Sequence, residues 1–385
     1  MERYYFVNEF FGMRVYDSKK KMELYFAHEM RANVKKLLEG DYVEIESVNY
    51  TKERQLTAPL KISMNITKKC NLRCKQCFSN SAEKLNDELT TNEIFQLFDD
   101  MKKHGTFFIC IGGGEPFVRE DIMDILAYGK EIGLAISIVT NGTLMTKELI
   151  EKLNQLDLDT IWISFEGLED NHEYLRGKGT FSKALEALEL LKEYNSKVAI
   201  RVSLNKNNIN EVREMIKLAE IYDVDLIRFT PLMSYGRASQ YDLVINQSQY
   251  ISFLKEIAEI KSKVEVIFPM NIENTKFWVD PSDFGCHCGK EAIWIDERGN
   301  YSPCFFFGDD YFIGNIRNES YMELWNRSNI VTSFEGNDVC KKCANYKKCR
   351  GGCRAMVFMA YGNFDEVDPL CPLAKNNICK KQEKK

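Results

Sequence analysis

A chain of 385 residues with a net charge of -5 has length for two or three domains, and the absence of a dominant basic block argues against nucleic acid as its main partner. Its 44% hydrophobic content is ordinary for a globular protein, and no stretch reaches the roughly 18 uninterrupted apolar residues of a membrane span. Met1-Glu2-Arg3-Tyr4-Tyr5 lacks the basic-then-apolar layout of a signal peptide, so the chain is expected to be cytoplasmic, with cysteines that serve metal rather than disulfides.

Residues 1–58 read as a small α+β module. Aromatic-rich runs at 4–11, 13–16 and 22–26 predict short strands, and 27–38 predicts a helix closed by Gly40. Peptide recognition and a cap over the next domain both fit this piece. From 59 to 280 strand and helix alternate, with strands predicted at 60–66, 107–111, 135–139, 160–165, 198–204 and 226–230. Thr90-Thr91-Asn92-Glu93 is a capping box, opening a helix that buries Ile94, Leu97, Phe98 and Met101 on one face. Further helices are predicted near 121–129, 147–156, 181–194 and 209–222. Strands separated by helices imply a parallel sheet with right-handed crossovers. Six units fall short of an eight-stranded closure, so the expected fold is α/β, a partial (βα)6 TIM-like barrel. From 281 to 385 helical periodicity fades, and Cys286, Cys288, Cys304, Cys340, Cys343, Cys349, Cys353, Cys371 and Cys379 gather in a separate cysteine-rich domain. The lysine-rich tail after Cys379 is expected to be disordered.

Cys70, Cys74 and Cys77 follow the first core strand, at the carboxyl end where such folds build active sites. Three thiolates on a four-iron cubane leave one iron open to an exogenous ligand, which suits chemistry better than electron storage. A zinc knuckle is the alternative for the triplet alone. The second strand runs into Gly112-Gly113-Gly114-Glu115-Pro116, where glycines permit close backbone approach and a carboxylate can accept from an ammonium group. The third ends in Thr140-Asn141-Gly142-Thr143 and the fourth in Ser164-Phe165-Glu166, with Arg176 a helical stretch later. Cys110 reads as buried packing, His172 as a surface residue and Cys379 as a spare thiol.

The cysteine triplet with an aromatic residue after it, Phe78, resembles the signature of radical S-adenosylmethionine (SAM) enzymes. That resemblance implies that Cys70, Cys74 and Cys77 hold a [4Fe-4S] cluster whose open iron binds SAM, and that an electron cleaves SAM to a 5′-deoxyadenosyl radical. It implies that Gly113, Gly114 and Glu115 contact the SAM amino group, that Asn141 belongs to the family's TNG turn, and that Ser164 and Arg176 bind the methionine portion. Glu166 departs from the aspartate more common there.

The pattern Gly299-x4-Cys304, then Cys340-x2-Cys343-x5-Cys349-x3-Cys353 and Cys371, with Gly314-Asn315-Ile316 and Leu324-Trp325, resembles the SPASM domain of peptide-modifying radical SAM enzymes. By that resemblance Cys340, Cys343, Cys349 and Cys371 hold one auxiliary cluster. Cys286, Cys304 and Cys353 hold another, with Cys288 as a candidate fourth ligand, making three [4Fe-4S] clusters in all. A zinc ribbon fits Cys340 and Cys343 in isolation.

Relatives that oxidise a sulfatase residue carry an aspartate just after the Gly-x4-Cys cysteine. Phe305 stands there, and loss of a base disfavours that branch. The leading expectation is a maturase that abstracts hydrogen from a precursor peptide and forms a thioether or carbon–carbon crosslink, supplied with electrons by a flavodoxin- or ferredoxin-type donor. Haem or cofactor biosynthesis and, though disfavoured, an anaerobic sulfatase-maturase type are the enzymatic alternatives, and an iron–sulfur electron carrier or zinc-binding interaction protein the non-enzymatic one.

Overall fold

The computed structural model describes residues 3–38, 41–45, 56–193, 197–268, 286, 288–328 and 337–374. Gly40, Cys379 and the lysine-rich tail lie outside the described residues.

Two sheets carry the fold. The first holds β1 (Tyr4–Glu9), β2 (Gly12–Asp17), β3 (Met22–Ala27) and β4 (Tyr42–Ile45) in the order β3-β2-β1-β4. Its first three strands are antiparallel, and β4 lies parallel beside β1. The four-residue β4 carries too short a pattern to be read from sequence. The helix expected at 27–38 begins with a 3-10 turn over His28–Met30 and becomes α1 (Arg31–Leu37).

The second sheet has ten strands. Seven are β5 (Lys61–Asn65), β6 (Phe108–Gly112), β7 (Ala135–Thr140), β8 (Thr160–Phe165), β9 (Val198–Leu204), β10 (Leu226–Pro231) and β11 (Glu265–Ile267), all parallel. Between them run α2 (Thr91–Lys103), α3 (Ile122–Glu131), α4 (Lys147–Leu156), α5 (Glu169–Arg176), α6 (Thr180–Glu193), α7 (Val212–Ile221) and α8 (Gln247–Glu259). The expected core is therefore present and one strand longer. The α2 capping box forms both its hydrogen bonds, and a second box, Asn246 with Gln249, starts α8.

Among the described residues the cysteine-rich segment makes no sheet of its own. Its β12 (Ala292–Ile295) pairs in parallel with β5, and β13 (Asn300–Ser302) and β14 (Gly314–Asn315) extend the same sheet antiparallel. The sheet order ends in β11 at one side and β14 at the other, an open, partial barrel. Helices α9 (Tyr321–Ser328), α10 (Asp338–Lys341), α11 (Tyr346–Cys349) and α12 (Arg354–Tyr361) complete the described chain. Among the described residues no helix is long and apolar enough to cross a membrane.

Strand alternation divides the sheet into two unlike faces. Ile62, Ile109, Ile136, Ile163, Ile200 and Ile227 are buried against Phe98, Leu126, Leu153, Leu188 and Ile216 of the helices. Residues of the opposite parity on the same strands, among them Ser63, Cys110, Arg201 and Ser203, face a cavity instead. The helical face supplies the hydrophobic core, at about 1.5–3 kcal/mol per fully buried aliphatic side chain. The other face is left polar and hollow.

The N-terminal sheet is fastened to the core by aromatic packing and one buried cation. Tyr16 stacks on Phe107, with ring centroids 4.3 Å apart and planes at 5°. Arg14, fully enclosed, pairs with Glu9 and Glu23 and donates to the carbonyl of Gly105 at 2.8 Å. Burial raises the Glu9 carboxyl above its ordinary range, against the pull of Arg14. Removing the cation would strand two acids. Arg14→Leu is expected to cost on the order of 3–5 kcal/mol, seen as a lower urea midpoint, and an unchanged midpoint would show that the acids are satisfied without it.

Candidate active site

Cys70, Cys74 and Cys77 lie in a loop between β5 and α2 whose shape is set by backbone contacts. Gly114 N–H donates to Thr67 O at 2.8 Å and Glu115 N–H to Lys69 O at 2.9 Å. A Cβ on residue 114 would fall 2.0 Å from the Lys69 carbonyl oxygen, and one on residue 113, where φ is +125°, 2.7 Å from that of Thr67. The two glycines are therefore required first by the cysteine loop. Arg237, just after β10, clamps the loop from the far side. Its guanidinium donates to Cys74 O at 2.8 Å and Ser81 O at 2.9 Å, and its own N–H to Cys77 O at 3.0 Å. Nothing near Arg237 in the sequence marks it for this role, since its partners lie some 160 positions away.

All three cysteines line one cavity of about 250 Å³, together with Gly113, Gly114, Asn141, Ser164 and Arg176. The expected set thus converges, with one correction. The Glu115 carboxylate does not face the cavity; it is 0% exposed and accepts from Thr140 Oγ1 at 2.7 Å and Asn141 N–H at 2.8 Å. It ties the loop after β6 to the turn after β7, so a direct contact from this carboxylate to an ammonium group is not what the geometry provides. Asn141 Nδ2 in turn donates to Asn71 Oδ1 at 2.9 Å, joining that turn to the cysteine loop.

Arg176 donates to Glu166 Oε1 at 2.7 Å, while its Nε is buried without a partner. Burial opposes the guanidinium's charge, but Glu166 and nearby thiols raise its pKa above the ordinary value. An arginine with donors left over inside a cavity fits an anionic ligand group. His172 is another correction: it is 0% exposed, and its Nδ1 accepts from Glu166 N–H at 3.3 Å. Burial, aided by Arg176, pulls its pKa down to about 3, so the imidazole stays neutral and supports the Glu166 turn. Cys110, expected as packing, lines the cavity.

The donor set suits a cluster. Burial raises the Cys70 thiol and pushes Cys74 up to about 11; both feel the charge of Cys77, and Cys74 that of Cys70 as well. Leu72 N–H points at Cys70 Sγ and Ser81 N–H at Cys77 Sγ, both at 3.4 Å. In the C-terminal region Cys288 lies within hydrogen-bonding reach of Cys286 and Cys304, which raise its pKa, and Cys353 feels both Cys286 and Cys304. Cys340 and Cys349 each feel Cys371. Among the described residues no three Cys, His, Asp or Glu side chains are grouped for a single metal ion. A four-iron cubane spreads its thiolates over four metals and needs a wider set.

The cavity's remaining wall is aromatic and comes partly from the cysteine-rich segment. Phe78 stacks on Tyr235 at 4.6 Å and meets Phe305 at 4.5 Å. Phe305, Phe306 and Trp294 all line the cavity.

Glu115 makes this site sensitive to pH. Burial raises its carboxyl to about 7 despite the donors from Asn141 and Thr140. The folded form then binds the proton more tightly than the unfolded chain, so its contribution is complete below the ordinary value of 4.5 and lost as pH rises through about 7. Glu115→Gln is expected to flatten the stability profile across that window, and a profile of unchanged slope would place the titration elsewhere.

Two family models match the chain, the radical SAM superfamily over residues 64–219 and the SPASM iron–sulfur cluster-binding domain over residues 286–354. The Fe-coproporphyrin III synthase of Methanosarcina barkeri is 27% identical, over 82% of this chain and 88% of that protein. The mycofactocin maturase MftC of Mycolicibacterium smegmatis is 28% identical, over 83% of this chain and 84% of its own. In structure the chain is similar to Streptococcus suis SuiB bound to SAM, with a TM-score of 0.76 at 17% identity, covering 97% of this chain and 99% of SuiB. The fold, the two matched domains and the convergence of the cysteine loop on one cavity agree: the chain belongs to the radical SAM superfamily and is an enzyme of its SPASM branch.

Proposed function

We propose that this enzyme matures a ribosomally made precursor peptide, abstracting hydrogen from it and closing a side-chain thioether or carbon–carbon crosslink. The observation that carries the reading is the free edge of the N-terminal sheet. Strand β3 has β2 on one side and no strand on the other among the described residues. Met22 and Leu24 on that strand are 39% and 38% exposed, with Met30 and Leu37 of the adjoining helical turns exposed as well. An unblunted edge with apolar side chains invites an extended segment to add as a further strand. SuiB bound to its precursor peptide SuiA has the same overall fold, with a TM-score of 0.75, and MftC is a maturase by name.

In this reading residues 1–58 recognise the peptide, 59–280 form the radical core and 281–385 hold the auxiliary clusters. Cys70, Cys74 and Cys77 hold the cluster at which SAM binds, and SAM bound there supplies the 5′-deoxyadenosyl radical. Arg176 and Ser164 receive its carboxylate portion, the backbone around Gly113 and Gly114 its amino group, and Glu115 holds the Asn141 turn in place. Cys340, Cys343, Cys349 and Cys371 hold one auxiliary cluster; Cys286, Cys288, Cys304 and Cys353 hold the other, the proximity of Cys288 to Cys286 and Cys304 favouring full ligation. Phe78, Phe305 and Phe306 exclude water from the radical's path. A flavodoxin or ferredoxin delivers the electron.

A second reading, haem biosynthesis, is favoured by the Fe-coproporphyrin III synthase and the AdoMet-dependent heme synthase of Methanosarcina barkeri, whose 27% and 26% identities lie beside the 28% of MftC. Anaerobic incubation of the reduced enzyme and SAM with any short peptide encoded beside its gene, and separately with Fe-coproporphyrin, distinguishes them. A peptide lighter by two hydrogen atoms supports maturation, whereas change in the porphyrin alone overturns it. Replacing Cys70, Cys74 and Cys77 together with alanine should remove about four of roughly twelve irons and end 5′-deoxyadenosine formation; retained SAM cleavage would refute the cluster assignment. Leu24→Lys should weaken the peptide's Kd about tenfold by blunting the edge, and an unchanged Kd would exclude β3 as the docking strand.

A further inference from the structure

Three cations stand on the hollow face of the sheet beneath the cysteine loop, Arg201 lining the cavity and Arg228 and Lys61 behind it, and the proposed roles above use none of them. Arg201 on β9 and Arg228 on β10 stand in direct register, both on the hollow face of the sheet. Lys61, on the same face of β5, feels both arginines, and burial lowers its pKa first of all. Like charges placed opposite each other on neighbouring strands destabilise a sheet. Little in the protein offsets them. Arg228 Nε is fully enclosed with no partner, and neither arginine nor the lysine ammonium has an ion pair among the described residues. Of the groups that act against these charges, Cys110 acts on both Lys61 and Arg228 and itself lines the cavity, and Asp159 acts on Lys61 but already accepts from Ser137 Oγ at 2.9 Å and Thr160 Oγ1 at 3.1 Å. Glu265, the other acid near Arg228, is exposed at the outer edge of the sheet.

The arrangement also has direction. The Arg228 guanidinium lies 5.1 Å from the centroid of the Trp162 ring, which holds it as a flat platform. Arg201 reaches the cavity that the three cysteines line. Trp294 Nε1, on the opposite wall, is buried without a partner. The rest of that wall is apolar and aromatic. A group that fits must be anionic, planar enough for paired guanidinium forks, and attached to a hydrophobic body.

We infer that Lys61, Arg201 and Arg228 form a substrate anchor for a carboxylate, holding the carbon skeleton attached to it against the cysteine loop. Arg201 stands in register with Ser164 and lines the same cavity as Ser164 and Arg176, and the anchor continues from there across the sheet face to Arg228 and Lys61, which those two residues do not reach in the roles given above. It does not depend on the peptide reading, because a peptide C-terminus and the acid side chains of a porphyrin both present this group. In either case the anchored end is fixed in the lumen and the carbon approaching the loop is selected by its distance from the carboxylate. The unbalanced charge is a cost of the free enzyme that the substrate removes on binding.

The test is calorimetric titration of the anaerobically reconstituted holoenzyme saturated with SAM. The probes are coproporphyrin III and its tetramethyl ester, and any short peptide encoded beside the gene, as free acid and as C-terminal amide. One acid should bind at least about tenfold tighter than its neutral counterpart, and which of the two does so names the source. Arg201→Gln and Arg228→Gln should each erase that difference while leaving the ester or amide affinity unchanged. Both variants should also raise, not lower, the unfolding midpoint of the substrate-free protein, a readout that needs no ligand. Equal binding of acid and neutral forms, no binding of either acid, or a lowered midpoint in both variants would overturn the anchor. Acid binding that appears only without SAM would assign the cations to SAM itself and overturn it equally.

Discussion

The contact between Gly114 and the Lys69 carbonyl governs where every part of the site lies. A side chain at 114 has no room, because its first carbon would sit 2.0 Å from that oxygen. With glycine there, the loop after β6 closes on the cysteine loop through two backbone hydrogen bonds. Glu115 then reaches the turn after β7, and Asn141 returns from that turn to Asn71. Three successive strand ends become one rigid rim. Arg237 completes it from β10 with charge-assisted bonds to two carbonyls, each worth about 1.5–3 kcal/mol.

That rim stands over a lumen of unusual character for a parallel barrel. Closed eight-stranded barrels fill their interiors with branched apolar side chains. Here the helical face carries the apolar core, and the lumen carries serine, cysteine, lysine and arginine. Polar groups left facing a hollow are costly for stability, so their concentration here marks the face the protein uses. Openness of the sheet order is what permits this: an unclosed barrel does not need its centre packed.

The cysteine-rich segment completes the same object. Because β12 pairs with β5 in parallel, Trp294 and the residues following β13 are delivered beside the first core strand. Phe305 and Phe306 then meet Phe78 of the cysteine loop, giving a cavity with a polar floor and an aromatic wall. Trp325, fully buried, donates to Leu56 O at 2.9 Å and fastens the segment to the start of the core.

Local spacing in the chain determined the strands and helices of the core, the α2 capping box and the identity of the cysteine, glycine and arginine motifs. These are short-range features, set by side-chain period and by chemistry that needs particular residues close together. The family also was legible there, since its motifs are contiguous. The tertiary structure decided matters that depend on which strands become neighbours. It turned the Glu115 carboxylate away from the cavity, buried His172, exposed Cys110 to the lumen and brought Arg237 to the cysteine loop. It also set Arg201 beside Arg228, two residues 27 positions apart that a sequence reader has no reason to pair. Register and barrel curvature are collective properties of the whole sheet, so no local pattern encodes them.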